Sequence, residues 1–267
     1  MRTLIAFLRR DILTELSYSF RVLLHFGSFA MTILFMLFIS RMMGGTINAY
    51  LSKYGNNYFA YALIGMAIST FISTGLYSFS GQIRQAQVEG TLEILLLSPV
   101  SVYTILTGNS LWSFILSFLE SFTLLTVVVV LFPGNMGIAE VALVLATLAV
   151  TFSSFLALGM ISAAFILVFK QGNPVNMIFG ASSYFLGGVF FPIEVMPVQV
   201  QYFSKLLPAY HSARLVREII LVAPADRDLA SSFLYLVGFT LVCGFLGIAS
   251  FRLALKTAKK NGSLIQF

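Results

Sequence analysis

The sequence predicts an all-α membrane protein with about six transmembrane helices, and three observations carry that expectation. Hydrophobic residues make up 58% of the 267 residues and charged residues only 10%, where a soluble domain carries roughly a quarter. The mean hydropathy is +0.93. The apolar residues run in long blocks with no strict apolar–polar alternation, which argues against a β-barrel.

A crossing needs about 20 mainly apolar residues, because about 30 Å of hydrocarbon is crossed at 1.5 Å per residue. Backbone groups in lipid must pair within the segment, so each crossing is read as a helix. The first span is Val22 to Ser40, between Arg21 and Arg41. The second runs from Phe59 to Gly81, the third from Tyr103 to Phe132 before the turn Pro133-Gly134-Asn135. The fourth, Ala139 to Phe169, stops at Lys170-Gln171-Gly172-Asn173-Pro174. The fifth starts near Val175 and breaks at Gly187-Gly188, and the sixth runs from Leu229 to Phe251. In outline, residues 1–21 form an interfacial helix, 22–251 hold the spans and 252–267 form a basic tail.

Six spans place both termini on one side of the membrane. With the N-terminus in the cytoplasm, 10 Lys and Arg residues fall inside and 6 outside, so the positive-inside rule favours N-in and C-in. The net charge of +6 and the pI near 9.5 then belong to topology and anionic lipid, not to nucleic acid. Cys243 is the only cysteine, which excludes an intrachain disulfide and a thiolate metal cluster. The segment from Met1 to Arg21 has no continuous apolar core and does not read as a cleaved signal.

Three segments fail to span. Leu4, Phe7, Leu8, Ile12, Leu16 and Phe20 recur at helical spacing, so residues 1–20 read as an amphipathic helix along the interface. It is either a juxtamembrane anchor or a grip for a partner. The stretch 84–98 reads as a short amphipathic helix, with Glu89 and Glu93 on one face, Leu92, Leu95 and Leu96 on another and Pro99 at its end. Such an element is a handle on two spans, or else a solvated connector. The segment 192–228 holds four of the seven prolines around two apolar stretches too short to span, Val198 to Leu207 and Ala209 to Val222. They read as a re-entrant pair on the outer side, or as surface helices there.

These segments together resemble ABC-2 type transporter permeases. Glu89-Gly-Thr-Leu-Glu-Ile-Leu-Leu-Leu-Ser-Pro-Val-Ser looks like the family's cytoplasmic segment, and Gly188-Val-Phe-Phe-Pro-Ile-Glu-Val-Met-Pro with Leu206-Leu-Pro-Ala-Tyr looks like its last outer loop. The resemblance covers nearly the whole chain. It implies a single permease domain that dimerises, most simply as a homodimer, pairs with two copies of a cytoplasmic ATPase, and exports cargo across a prokaryotic cytoplasmic (inner) membrane. Under it, Arg84, Glu89, Gly90, Thr91, Leu92, Glu93, Leu96 and Pro99 belong to a coupling helix seated in the ATPase. ATP and Mg are then held by that partner, with no cofactor on this chain. The chain has no Gly-Lys dipeptide and so no phosphate-cradling P-loop. Polysaccharide-exporting relatives open with a denser basic and aromatic run than Arg9 to Arg21 supplies. That departure tilts the cargo toward drug-like, lipid-like or peptide molecules, with glycan left open.

Glu120 lies near the middle of the third span, the costliest depth for a charge. It reads with Ser110, Ser113, Ser117 and Ser121 as a polar stripe, lining a path or gluing helices. Small residues mark close contacts at Gly65, Ser69 and Ser73, at Gly159 and Ala163, and at Asn176, Gly180, Ser183 and Gly187. The fifth span, continued by Phe190, Phe191 and Pro192, is the first choice for pore wall, gate and dimer seam. Tyr50, Tyr54, Tyr58 and Tyr61 read as an interfacial belt. The only histidines are His25 and His211 and no His-Glu-x-x-His occurs, which excludes a membrane zinc protease. An ion-coupled transporter or channel would favour paired intramembrane charges or two similar halves, and a scaffold would favour a closed, dry helix interface. Neither charge pairs nor halves are visible.

Overall fold

The computed structural model describes residues 2–17, 19–132, 136–169 and 173–260. Among them lie ten α-helices and no strand: α1 (Arg2–Ser17), α2 (Ser19–Ile47), α3 (Tyr58–Val88), α4 (Leu92–Leu97), α5 (Val102–Leu131), α6 (Ile138–Phe169), α7 (Pro174–Phe185), α8 (Val198–Ser204), α9 (Pro208–Leu221) and α10 (Ala230–Lys260). Short 3-10 turns fall at Asn48–Tyr54, Ile193–Val195 and Pro224–Asp226. The breaks expected at Pro133-Gly134-Asn135 and Lys170-Gln171-Gly172, and tail residues 261–267, lie outside the described residues.

Four helices, α3, α5, α6 and α10, are long and apolar enough to cross a membrane. Helix α2 has 29 residues, of which Gly27–Met42 is an apolar stretch among the described side chains. The fifth expected span differs. Helix α7 has 12 residues, about 18 Å at 1.5 Å per residue, and stops partway. Helix α10 in turn outruns its expected end at Phe251 and carries the basic residues as far as Lys260 in one helix.

Local signals explain where the helices begin and end. The Asn57 side chain accepts from the Ala60 backbone N–H at 3.1 Å and caps α3. Asn173 caps α7 in the same way, accepting from Asn176 N–H at 3.2 Å, with Pro174 behind it in the first turn. At the far end of α3, Gly90 takes φ +70°. Its N–H donates to Gln87 O and the Thr91 N–H to Ala86 O, a Schellman closure that a side chain at Gly90 would strain.

Helix α3 is the centre of the bundle, with α5, α6, α7 and α9 packed around it. Its core runs from Tyr58 to Gln87 and includes Phe71, Ile68, Ile72 and Leu76, all at most 1% exposed. Phe71 meets Phe114 and Phe152 edge-on, both at 6.2 Å between ring centres. Helices α3 and α6 touch backbone to backbone: a Cβ at Gly159 would stand 2.5 Å from the Gly75 carbonyl oxygen. The expected small-residue contact at Gly159 is therefore a helix crossing within this chain.

The tyrosine belt requires correction. Tyr58 and Tyr61 are 6% and 3% exposed, turned into the bundle, while Tyr50 is the outward one. The core side of α3 at its first turns recruits these rings, because α9 and the Gly188 loop cover that face.

The helices define two poles. At one, the Phe7 ring of α1 lies against Gly108 of α5, Arg10 Nη2 donates to Asn109 Oδ1 at 2.9 Å, and Tyr103 meets Phe251 at 5.4 Å. Helix α4 and the end of α10 share this pole. At the other stand the Asn48–Tyr54 turn, the start of α3, the loop from Leu186 to Pro197, and α9.

The α3–α6 crossing yields a test. Gly159→Leu should destabilise the protein by about 1–3 kcal/mol through overpacking, read as a lower thermal midpoint in detergent. Gly238→Leu, where nothing lies within 4 Å of an added Cβ, should leave the midpoint near that of the parent.

Candidate functional site

The first pole carries the expected handle, in two pieces. Arg84 to Val88 form the last turn of α3, Glu89 caps it, and α4 begins after Gly90 and Thr91. Glu89 and Glu93 therefore do not share a helix face, a correction forced by the left-handed turn at Gly90. Glu89 instead accepts from Gln85 Nε2 at 2.7 Å, and Glu93 sits in the first turn of α4. Arg84, Glu89, Thr91 and Pro99 are exposed, and Glu93 is half-buried.

Helix α4 is anchored from below and open above. Leu92 and Leu96 are each 3% exposed and pack with Phe79, Ile83, Leu106, Leu167 and Phe251. Gln87, 2% exposed, donates from Nε2 to Ile166 O at 3.1 Å and ties the same corner to α6. On the outer side, Val88, Ile94 and Leu97 are 73%, 74% and 72% exposed. The leucines at 92, 95 and 96 are visible in the sequence as an apolar face, and the exposed ridge of Ile94 and Leu97 is a finding of the structure.

Beside the handle, α1, α3, α4 and α5 enclose a cavity of about 830 Å³ lined by Arg10, Ser73, Thr74, Tyr77, Gln82, Gln85, Glu89, Asn109 and Ser113. Ser110 and Ser117 stand on the α3 side of α5: Ser110 accepts from Gln82 Nε2 at 2.8 Å, and Ser117 bonds Thr74. Ser121 donates to Ala67 O at 2.6 Å. Glu120 leaves this stripe and faces a separate cavity of about 160 Å³ between α2, α3 and α5, with Thr32, Ser69 and Thr70. The single polar stripe of the sequence thus divides between two helix contacts.

The α7 residues come together against α3. Asn176 is fully buried and donates from Nδ2 to Leu76 O at 3.0 Å and Ser80 Oγ at 2.7 Å. Ser183 is also fully buried, and Gly180 faces Leu76 with room to spare. Gly187 is tight, with an added Cβ 2.7 Å from that of Ala209. Phe190 stacks on Tyr184, whose hydroxyl bonds Ser73 at 2.8 Å. Phe191 is half-buried and Pro192 buried. The break after α7 is real: Gly188 has φ +67°, a region open to glycine.

The second pole is organised by Arg217, which sequence reading counted only as a loop charge. It is 3% exposed. Its Nη1 donates to Gly188 O at 2.7 Å, and its Nη2 to Val189 O at 2.7 Å and Tyr61 O at 3.1 Å. The guanidinium lies 3.4 Å from the Tyr61 ring centre, and the Tyr61 hydroxyl donates to Gly188 O at 2.9 Å. Gly65 is obligatory here, because a Cβ would stand 1.8 Å from the Val189 oxygen. Next to it Glu218, with a side chain 0% exposed, accepts from Lys53 at 2.5 Å and Arg214 at 2.9 Å. Arg227 closes α9, donating to Ile219 O at 2.8 Å and Val222 O at 3.0 Å while pairing with Glu140 at 3.2 Å.

Helix α9 is buried within the bundle against α3, α6 and α10, whereas α8 exposes Val198, Tyr202 and Phe203 on its surface. The two members of the expected outer pair therefore occupy different environments. Among the described residues no cluster of His, Cys, Asp and Glu is arranged to hold a metal ion.

An all-helical bundle with four apolar, span-length helices, a short half-exposed cross-helix at one pole and a clamped loop at the other defines a polytopic membrane protein. Comparison with known proteins makes this specific. The ABC-2 type transporter family profile matches residues 2–221, and the chain belongs to that family. It is similar to Nodulation protein J of Bradyrhizobium diazoefficiens, 27% identical over 174 residues, covering 65% of this chain and 66% of the relative. It is likewise similar to Nodulation protein J of Sinorhizobium fredii, 28% identical over 174 residues, covering 64% of each. The chain thus spans just under two thirds of the length of these relatives.

The Arg217 clamp makes a prediction. Arg217→Met leaves the Val189 carbonyl without its donor, at a cost of about 1–3 kcal/mol, and strips a further donor from the carbonyls of Gly188 and Tyr61, so the detergent thermal midpoint should fall. Arg217→Lys should recover only part of the loss, because one ammonium does not reproduce the planar fork. A midpoint unchanged in the Met variant would contradict the clamp.

Proposed function

We propose that this chain is the transmembrane subunit of an ATP-binding cassette exporter, working as a homodimer with two copies of a cytoplasmic ATPase that holds ATP and Mg. The pole bearing α1, α4 and the end of α10 faces the cytoplasm of a prokaryote, with N-in and C-in topology in the cytoplasmic (inner) membrane. The observation that supports this reading most directly is the two-sided build of α4. Its inner leucines are rooted among α3, α5, α6 and α10, and its outer ridge of Ile94 and Leu97 is bare. Apolar side chains at roughly three-quarters exposure on a six-residue helix suit a cleft in a partner protein.

The mechanism follows from that rooting. ATP-driven closure of the two ATPase copies pushes α4, and the buried leucines pass the displacement to α3 and α10 as a body. Export proceeds by alternating access. Cargo leaves past Phe190, Phe191 and Pro192, where the Gly187-Gly188 break lets the end of α7 change direction. Seen in this frame, Glu120, Ser117, Asn176, Gly180 and Ser183 are path or packing residues of the central helices. The cargo class is amphipathic: drug-like, lipid-like or glycan.

Copurification tests the partner and transport tests the coupling. A tagged permease should retain a P-loop ATPase in detergent. Ile94→Asp with Leu97→Asp should reduce that retention about tenfold or more at an unchanged thermal midpoint. Glu89→Lys with Glu93→Lys should uncouple ATP hydrolysis from transport in reconstituted vesicles. Wild-type transport by the doubly reversed protein would count strongly against α4 as the coupling element.

A further inference from the structure

A cavity of about 270 Å³ lies at the second pole, between the Asn48–Tyr54 turn, the start of α3, the Gly188–Glu194 loop and α9. Its lining is rich in hydrogen-bond donors: Lys53, Tyr54, Tyr210, Arg214 and Arg217. The one acid in the lining is Glu194, which is exposed. Burial raises the phenol pKa of Tyr54 and of Tyr210, so both hydroxyls stay protonated and able to donate.

Lys53, Arg214 and Arg217 line the cavity with Glu194 as the one acid, while Glu218 and Asp228 stand outside the lining. Glu218 lies behind the lining with its Oε1 accepting from Lys53 and Arg214 and its Oε2 accepting from the Asp228 N–H at 3.2 Å. Asp228 bonds Arg214 from outside, where its 61% exposure leaves it screened by solvent. Arg217 is satisfied by the carbonyls of Tyr61, Gly188 and Val189, with no carboxylate among its hydrogen-bond partners. Carbonyl dipoles meet the donor geometry of a guanidinium but do not cancel its charge. A buried cation beside a small donor-lined cavity attracts an anion, and the Lys53 ammonium with the Tyr54 and Tyr210 hydroxyls can donate to the oxygens of a phosphate.

We propose that this cavity binds an anionic phosphate-type group, presented either by a phospholipid headgroup or as free inorganic phosphate. The volume admits one such group with a few waters and excludes a bulky cargo. The site stands independently of which molecule the protein exports. Lys53 and Tyr54 come from the turn before α3, Arg214 and Arg217 from α9, so an anion held among them cross-links two elements distant in sequence.

The test is ligand-dependent stabilisation of the purified full-length protein in detergent, at constant ionic strength balanced with chloride. The probes are sodium phosphate, dioctanoyl phosphatidylglycerol, dioctanoyl glycerol as the chain control, and choline chloride as the cationic control. A ligand that binds only the folded state raises the thermal midpoint with a saturating dependence on concentration. The expected result is a saturable rise with phosphate or with phosphatidylglycerol, absent with dioctanoyl glycerol. A response to phosphate identifies the free anion, and a response to phosphatidylglycerol alone identifies the lipid headgroup. Glu194→Gln should tighten half-saturation about tenfold, and Lys53→Gln should weaken it about tenfold, each measured against its own unliganded midpoint. Tyr54→Phe, which keeps the ring and removes one donor, should weaken it less. No rise with either phosphate probe, equal half-saturation in all variants, or a rise with choline that Glu194→Gln abolishes would each overturn the proposal.

Discussion

A single buried guanidinium holds one pole of this protein together. Arg217 reaches from α9 to the backbone of α3 at Tyr61 and to the loop after α7 at Gly188 and Val189. The carbonyls of Gly188 and Val189 belong to a helix break, where no helix ladder supplies them with a donor. At membrane depth such groups require donors from elsewhere in the protein. Gly65 permits the approach and Tyr61 roofs the charge, so the arginine, the glycine, the tyrosine and the broken α7 form one mutually dependent unit.

The other pole is built on the opposite logic. There the chain closes α3 with Gly90, turns, and lays α4 across the bundle with two leucines inward and two apolar side chains outward. Among the described residues α4 is rooted by the packing of Leu92 and Leu96, with no side-chain hydrogen bond from α4 to a neighbouring helix. Packed roots move with their neighbours, and hydrogen-bonded clamps resist moving. The bundle therefore has an end suited to receiving a push and an end suited to resisting one, joined by α3.

Much of this was legible in the residues. The apolar runs of α3, α5, α6 and α10 stand out by length, and the Gly188 break stands out as a glycine pair before Pro192, whereas the turn at Gly90 is hidden inside a stretch that reads as one helix. The direction each helix faces was not legible, because lipid and protein interior are equally apolar and hydropathy does not separate them. Tyr58 and Tyr61 looked like a belt for that reason and proved to be core. Arg217 carried a weak signal, a charge among Ala213, Val216 and Ile220. Its partners are backbone carbonyls 28 to 156 residues away, and any residue type can supply a carbonyl. Glu120 separated from its serines because adjacent stripes on one helix can meet different neighbours.

The backbone contact between Gly75 and Gly159 has a mechanical meaning for α3. Helices that meet without intervening side chains are locked in register, since neither can slide without a carbonyl clash. Gly75 divides α3 into arms of about 17 and 13 residues, or about 26 and 20 Å at 1.5 Å per residue. The longer arm ends at the arginine clamp and the shorter at α4. The contact therefore pins α3 to α6 off-centre, nearer to α4 than to the clamp.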